Sequence, residues 1–364
     1  MDLQNLRLYD FRNFSETDAN FEKGINIFYG DNAQGKTNIL EAIYFLTALK
    51  PVRAFREQEL IKHDRSVAFL QGIFNTRAGP LKRQVKLYSD RKKEVREGEI
   101  VKTRLSELAK GLGVVYFSPD DLEIIKGQPS GRRKFIDNFI FQIRPGFYKY
   151  LQGYQRVLSQ RNSLLKALKN NKKMMQTLDS WDEQLAEYGF QLINERLKLL
   201  QSLSNSAIKY FENFSHEGTV LKIKYVSSVN FTDTGSIKGE LRKALTESRN
   251  KDILRSYTSV GPHRDDIEFL INGKNARLYG SQGQQRTVVL CLKFSQRDIL
   301  STIKGENPIL LLDDVMSELD IYRRRLILER EDHQVFITTT DLNFIPDEII
   351  KKSSLYSVKA GVLR

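Results

Sequence analysis

Apolar positions recur with two different periods along this chain, and the change of period divides it. Leu3, Leu6 and Leu8 lead into a turn-like Asp10-Phe11-Arg12-Asn13, and Gly24-Ile25-Asn26-Ile27-Phe28-Tyr29 reads as a buried strand. Ile39, Leu40, Ile43, Leu46 and Leu49 then fall at helical spacing over 36–49, until Pro51 stops the helix. Residues 67–75 and 81–88 alternate as meander strands, with Ala78-Gly79-Pro80 as the turn between them. The first ~120 residues therefore predict mixed α/β structure.

From Phe147 to about Phe214 the period becomes helical, with few glycines and no proline. Leu151, Tyr154, Leu158, Leu165 and Leu168 form one apolar stripe; Leu178, Trp181, Leu185, Tyr188, Leu192, Leu199 and Leu203 form a second, and core packing is their simplest role. The break at Asn170-Asn171-Lys172-Lys173 predicts two antiparallel helices, a short arm too irregular for a long coiled coil. Strand character returns at Leu221-Lys222-Ile223-Lys224-Tyr225-Val226. A helical stretch and a polar loop then lead to Gly261-Pro262-His263-Arg264. The chain ends by alternating helix with apolar strand, at Pro308-Ile309-Leu310-Leu311-Leu312 and Gln334-Val335-Phe336-Ile337. An α/β unit thus opens and closes the chain. The expected division is 1–120 for its first part, 121–256 for a helical insertion with its arm, and 257–364 for the return.

Gly30-Asp31-Asn32-Ala33-Gln34-Gly35-Lys36-Thr37 fits the phosphate-loop pattern GxxxxGK[ST] without a mismatch, between a strand and an amphipathic helix, as that pattern requires. Glycines let loop amides approach phosphates, Lys36 brings an ammonium to the β- and γ-phosphates, and the Thr37 hydroxyl can ligate Mg²⁺. Asn38 extends the candidate nucleotide contacts. Leu310-Leu311-Leu312-Asp313-Asp314 reads as a Walker B strand, which lifts carboxylates to its C-terminal end. Asp313 is the candidate metal holder and Asp314 the candidate general base. Just before it, Tyr279-Gly280-Ser281-Gln282-Gly283-Gln284-Gln285-Arg286 opens a helical run to Leu300. A Ser-x-Gly-Gln turn there offers a phosphate free amides, a hydroxyl and the positive end of the helix dipole. The same residues also suit an ordinary capped helix start.

Composition narrows the partners. Lys and Arg number 58 against 45 Asp and Glu, a net charge of +13, which favours a polyanion: nucleic acid or an anionic membrane surface. With 40% hydrophobic and 28% charged residues a packed core is expected. One cysteine, Cys291, cannot form an internal disulfide and suits core packing. The N-terminus has no signal-peptide pattern and no apolar run is long enough to span a bilayer, so a cytoplasmic protein is the expectation.

Walker A, Ser281-x-Gly283-Gln284, Walker B and a following Ser317-Glu318-Leu319-Asp320 stand in the order of the ABC-type ATPase heads, with the last as a D-loop. The chain resembles that family. Its short insertion, together with Pro119-Asp120-Asp121-Leu122, Gly131-Arg132-Arg133-Lys134-Phe135-Ile136-Asp137, Thr258-Ser259-Val260-Gly261-Pro262-His263-Arg264-Asp265 and the Arg-Asn-Phe ending at Phe14, is similar to the RecF branch rather than to SMC or RecN. The resemblance covers essentially the whole chain. It implies an ABC-type α/β head with a mixed sheet, an inserted helical lobe and a short antiparallel helical arm.

The same resemblance implies ATP and Mg²⁺ as cofactors, with the signature of one head facing the P-loop of another. It further implies an ATP-dependent homodimer on duplex DNA near gaps, and work with RecR and RecO to place RecA. Ser281 then joins Lys36, Asp313 and Asp314 as catalytic candidates. Arg12 and Asn13 would lie near the base or phosphates, or simply form a solvated turn. Arg132, Arg133, Lys134, Lys166, Lys169, Lys172 and Lys173 are DNA-contact candidates, each equally suited to a solvated or ion-paired surface. His263 suits a structural or a catalytic role.

There are departures from the ABC pattern. Asp314 stands for the usual catalytic glutamate, a shorter reach that makes slow hydrolysis the expectation, and Thr339-Thr340 for a switch histidine. Ser118-Pro119-Asp120-Asp121 is the candidate for the Q-loop place. Two other readings remain: an ABC-type transport subunit, which would want a switch histidine and no arm, and an SMC-like bridging head, which would want a longer arm.

Overall fold

The computed structural model describes residues 1–52, 56–102, 112–169, 172–215, 218–316, 324, 327–328 and 333–364, with backbone alone for 172–174. Residues 170–171 of the predicted helix break, and Ser317-Glu318-Leu319-Asp320, lie outside the described residues.

The chain opens with β1 (Asp2–Phe11), β2 (Phe14–Asn20), β3 (Ile25–Tyr29) and helix α1 (Lys36–Ala48). Strands β4 (Val67–Thr76), β5 (Gly79–Tyr88), β6 (Glu94–Glu97), β7 (Ile100–Lys102) and β8 (Val114–Phe117) follow. Helices α2 (Glu123–Lys126), α3 (Pro129–Ile143), α4 (Phe147–Leu168) and α5 (Leu178–Phe214) precede β9 (Leu221–Val226), α6 (Ile237–Glu247) and α7 (Arg249–Arg255). Next come β10 (Asp266–Ile271), β11 (Lys274–Asn275), α8 (Ala276–Tyr279) and α9 (Gln282–Lys304). The chain closes with β12 (Ile309–Asp313), β13 (Val335–Thr339), β14 (Ser354–Lys359) and β15 (Val362–Leu363).

Two compact units result, 1–121 with 296–364, and 122–295. The return to the first unit falls inside α9, later than the expected residue 257. The reason is pairing: β10 runs antiparallel to β9 in the second unit, so 266–271 stay with the insertion.

In the first unit, β2-β1-β4-β5-β6-β7 form an antiparallel meander and β15-β14-β3-β13-β12-β8 a second sheet. The inner strands of the second sheet are parallel; only the hairpin strand β15 runs against its neighbour. Helix α1 is buried on nearly every side, and its Ile39, Leu40, Ile43, Phe45 and Leu46 share one core with Leu6, Leu70 and Val85 of the meander and Val114, Leu311 and Phe336 of the parallel sheet. Its polar residues are drawn in as well, for Lys36, Glu41 and Thr47 are buried along with the apolar side chains. β12 and β13 are buried along their whole length, as parallel strands covered on both faces are.

The second unit is held by helices and buried ion pairs. α4 and α5 form the expected antiparallel pair, and Gly153 admits the Tyr188 ring so closely that a Cβ would lie 2.5 Å from it. The stripe residues Tyr154, Leu165, Leu185, Leu192 and Leu203 are buried, whereas Trp181 is half-buried. Arg161, wholly buried, donates Nε to Asp182 at 2.7 Å and Nη1 to Asp252 and Thr258 at 2.9 Å each. Arg196 forks onto Asp137 at 2.8 and 2.9 Å and donates to the Pro262 carbonyl. Cys291 is buried, in keeping with a packing role.

Removing one partner of such a network leaves charge buried and uncompensated. Arg161→Met should therefore destabilise the second unit by about 3–5 kcal/mol, because Asp182 and Asp252 lose their shared cation. Denaturant unfolding checks this; a loss below about 1 kcal/mol, the size of a surface pair, would mean the two aspartates find other compensation.

Candidate nucleotide site

The order of the parallel sheet places β13 between β3 and β12, with Thr339 opposite Tyr29 and Thr338 opposite Asp313. The C-terminal ends of these strands therefore bring together the loop after β3 and the carboxylates after β12, where ligands of open α/β sheets bind. Gly30-Thr37 passes directly into α1, whose start at Gly35 carries no side-chain cap. Amides of an uncapped helix start, with the dipole behind them, suit an anion.

Asp313 is almost wholly buried, so its oxygens need donors. Three side chains supply them. Thr37 Oγ1 and Thr338 Oγ1 donate to Oδ1 at 2.7 and 2.8 Å, and the Tyr116 hydroxyl donates to Oδ2 at 2.6 Å. Thr338 Oγ1 in turn accepts from the Asp314 amide at 3.0 Å. Asp314 is exposed and has a left-handed backbone, φ 53°. Its carboxyl is pushed above the usual range, by partial burial first and by the neighbouring charge of Asp313 second, with Lys36 opposing. Lys36 lies buried and donates Nζ to the Gly30 and Asp31 carbonyls at 2.7 Å each. Burial lowers its pKa, against the attraction of Asp314, Asp31 and Asp313.

Arg12 and Asn13 form the β1–β2 turn against this loop, and both are tied to protein. Arg12 pairs with the buried Glu41 through Nε and Nη2, at 2.8 and 3.1 Å, and donates to the Glu59 carbonyl. Asn13 donates to Gln34 O at 2.9 Å and accepts from Asn38 Nδ2 at 2.8 Å. The turn is thus anchored rather than solvated. A Cβ on Gly35 would lie 2.5 Å from Asn13 Nδ2, and one on Gly30 would lie 2.5 Å from the Val358 carbonyl. These two glycines are required by the protein packed around the loop as well as by any phosphate within it. Asn32 and Ala33 sit at the exposed crest of the loop.

Ser281 and Gln284 lie in the second unit. Ser281 N donates to Gln284 Oε1 at 2.9 Å, and Gln284 N to Ser281 Oγ at 3.2 Å, a reciprocal capping box at the start of α9. Ser281, Gln282, Gly283 and Gln284 are all exposed. The capped helix start and the signature reading thus describe one and the same turn. Ser118 donates its amide to Asp121 Oδ2 at 2.8 Å, closing the Q-loop candidate into a short turn. Thr339 Oγ1 donates to the Asp341 carbonyl at the end of β13.

The DNA-contact candidates divide. Arg132 is buried and forks onto Asp266 at 2.7 and 2.9 Å, with a further bond to the Gly127 carbonyl, so a structural ion pair replaces the expected surface contact. The reason is long-range: β10 brings Asp266 to α3. Arg133 is half-buried and donates to the Asp265 carbonyl, while Lys134, Lys166 and Lys169 are exposed. The side chains of Lys172 and Lys173 lie outside the described residues. His263 is bound into the second unit, Nδ1 at 2.7 Å from the Tyr154 hydroxyl and Nε2 at 3.1 Å from the Thr258 carbonyl, and burial pushes its pKa down to about 4. Sequence patterns passed over Tyr116, Thr338 and Glu41, because nothing local marks them; each acts on a residue far away in the chain.

Among the described residues no group of three or more His, Cys, Asp or Glu could hold a metal by itself, and no helix is long and apolar enough to cross a membrane. Thr37 and Asp313 are hard oxygen donors of the kind Mg²⁺ takes, in numbers that leave further positions for phosphate oxygens or water.

The family model described as the RecF/RecN/SMC N terminal domain matches residues 2–362. The DNA replication and repair protein RecF of Streptococcus agalactiae is 40% identical over 366 residues, covering 99% of this chain and 97% of that protein. RecF of Streptococcus pneumoniae is 40% identical over 362 residues, covering 99% and 98%. A solved structure of the recombination mediator protein RecF-ATPrS in the RecFOR pathway superimposes with a TM-score of 0.91 at 36% identity, over all of this chain and 97% of that one. The corresponding RecF-ATP structure also gives 0.91. An Smc head bound to the C-winged helix domain of ScpA, at 16% identity and a TM-score of 0.54, shares the fold alone. The chain belongs to the RecF family of DNA replication and repair proteins, within the RecF/RecN/SMC group of ATPase heads.

Proposed function

We propose that this chain is an ATP-driven clamp on duplex DNA near single-strand gaps, acting in the cytoplasm. It would hydrolyse ATP slowly and help RecO and RecR load RecA in recombinational repair, replication restart and SOS induction. The observation that carries the reading is the Thr37–Asp313 bond, which joins the phosphate loop to the Walker B carboxylate beside Lys36. Lys36 would exchange the carbonyls of Gly30 and Asp31 for phosphate oxygens. Thr37 and Asp313 would hold Mg²⁺, which supplies charge neutralisation on the phosphates when bound. Asp314 would take the proton of the attacking water.

The exposed turn Ser281-Gln282-Gly283-Gln284 supports a site shared between two copies, its amides and hydroxyl meeting the nucleotide held by the other chain. ATP would then drive the homodimer. Lys134, Lys166 and Lys169, with Arg133, Lys172 and Lys173, are the proposed phosphate-backbone contacts, in keeping with the net charge of +13.

Ser281→Arg should still bind ATP through its own loop yet fail to dimerise, because a bulky cation fills the place of the γ-phosphate. Lys36→Met should fail for want of bound nucleotide. Mixed, the two chains form one intact composite site and should regain ATP-dependent association. Sizing with ATP and duplex DNA checks this. Wild-type dimerisation by Ser281→Arg alone would remove the shared site.

Asp314 is placed to take the proton of the attacking water, and an amide in its place cannot. Asp314→Asn should lower the ATPase rate about 10²-fold or more while ATP binding is kept, measured as phosphate release and as equilibrium nucleotide binding.

A further inference from the structure

Two β-turns grip the phosphate loop, and the second comes from the C-terminal end of the chain. Strands β14 and β15 are joined by Ala360-Gly361, both left-handed, with φ 50° and 74°, as a two-residue type I′ hairpin requires. The turn is docked on the loop through its backbone. Ala360 N donates to Gln34 Oε1 at 2.7 Å, and Gly361 N to Gln34 O at 3.0 Å. Gln34 O also accepts from Asn13, and the Gln34 side chain reaches back to the Asn32 carbonyl at 3.4 Å. A Cβ on Gly361 would lie 2.5 Å from the Asn13 carbonyl, so the two turns meet behind the loop. Two residues before Ala360, Val358 O fills the space a side chain on Gly30 would need.

We infer that the C-terminal hairpin turn is a positioning element of the nucleotide site, with Gln34 as its anchor and Gly361 as the residue that lets it dock. This rests on reading Gly30–Thr37 as the ATP-binding loop. A loop whose amides must converge on phosphates binds weakly if it has to be ordered on binding, and a clasp that holds it beforehand removes that cost. Alanine is a poor residue for a left-handed turn. Ala360 nevertheless keeps that conformation, with its amide held by Gln34.

The test uses the full chain and equilibrium binding of a fluorescent ATP analogue with Mg²⁺. Gly361→Val introduces a Cβ against Asn13 in a backbone only glycine adopts easily, and should weaken binding about ten-fold or more. Circular dichroism would confirm a folded chain; if Gly361→Val does not fold, Gly361→Ala makes the smaller change at the same contact. Gln34→Leu should weaken binding several-fold in the wild-type background but add little to Gly361→Val, since both break one clasp. The loss should appear in KM for ATP more than in kcat, because the bonds around Asp313 are untouched. A folded Gly361→Val or Gly361→Ala that binds like wild type would overturn the inference, as would equal effects of Gln34→Leu in both backgrounds. Lys36→Met separates the two readings. If it binds the analogue as wild type does, the loop assignment fails; if it loses binding while the glycine variant keeps it, only the clasp fails.

Discussion

A buried carboxylate must be hydrogen-bonded, and at the end of β12 that requirement falls on Asp313. Its donors come from three separate elements: Thr37 from α1, Thr338 from β13 and Tyr116 from β8. The Thr338 bond is possible only in the register the parallel sheet has, with Thr338 opposite Asp313. A slip of one residue would turn the Thr338 hydroxyl to the other face. The carboxylate therefore ties the helix after the phosphate loop to the strands beneath it. The Asp314 amide joins the same network through Thr338, and Lys36 is held beside it by the Gly30 and Asp31 carbonyls.

The second unit meets a similar requirement differently. Its helices pack around Arg161 and Arg196, each satisfied by aspartates from other segments, and Arg132 is drawn inward by Asp266. Arginine serves here because its planar fork can give two bonds to one carboxylate, as at Arg196 and Arg132, or one to each of two, as at Arg161. Much of the stretch Gly131–Asp137 and of Thr258–Asp265 is therefore structural. Asp137 holds Arg196, Thr258 holds Arg161 and His263, and Asp265 receives the Tyr225 hydroxyl at 2.6 Å. Charged motifs in this unit are not surface charge by default, and the basic residues that face water are a smaller set than the sequence offers.

The phosphate loop shows how a short motif depends on the rest of the chain. Its glycines accommodate Asn13 and Val358 O, its Gln34 meets both flanking turns, and the Arg12 turn is anchored by Glu41 of α1. A loop so supported can keep its amides convergent without a ligand, which is the condition for electrostatic preorganisation.

By itself the sequence determined the elements and their chemistry. The helical period of 147–214, the apolar run before Asp313 and the unbroken GxxxxGK[ST] pattern are local, because each is carried by neighbouring residues whose spacing sets its own geometry. The mixed α/β class and the helical insertion followed from the same periods. Tertiary structure alone decided the rest. The return to the first unit falls within α9 because β10 pairs with β9, which no local pattern announces. Arg132 is buried because Asp266, distant in sequence, supplies its partner. The C-terminal hairpin has no local signature, because Ser354–Lys359 has no regular apolar alternation and its turn lacks the usual Asn-Gly signal. Its place beside β3 comes from parallel pairing across nearly the whole chain. Local spacing encodes which residues can do chemistry, whereas the partners that bury, orient and restrain them are set by long-range pairing and by the need to satisfy each buried polar group.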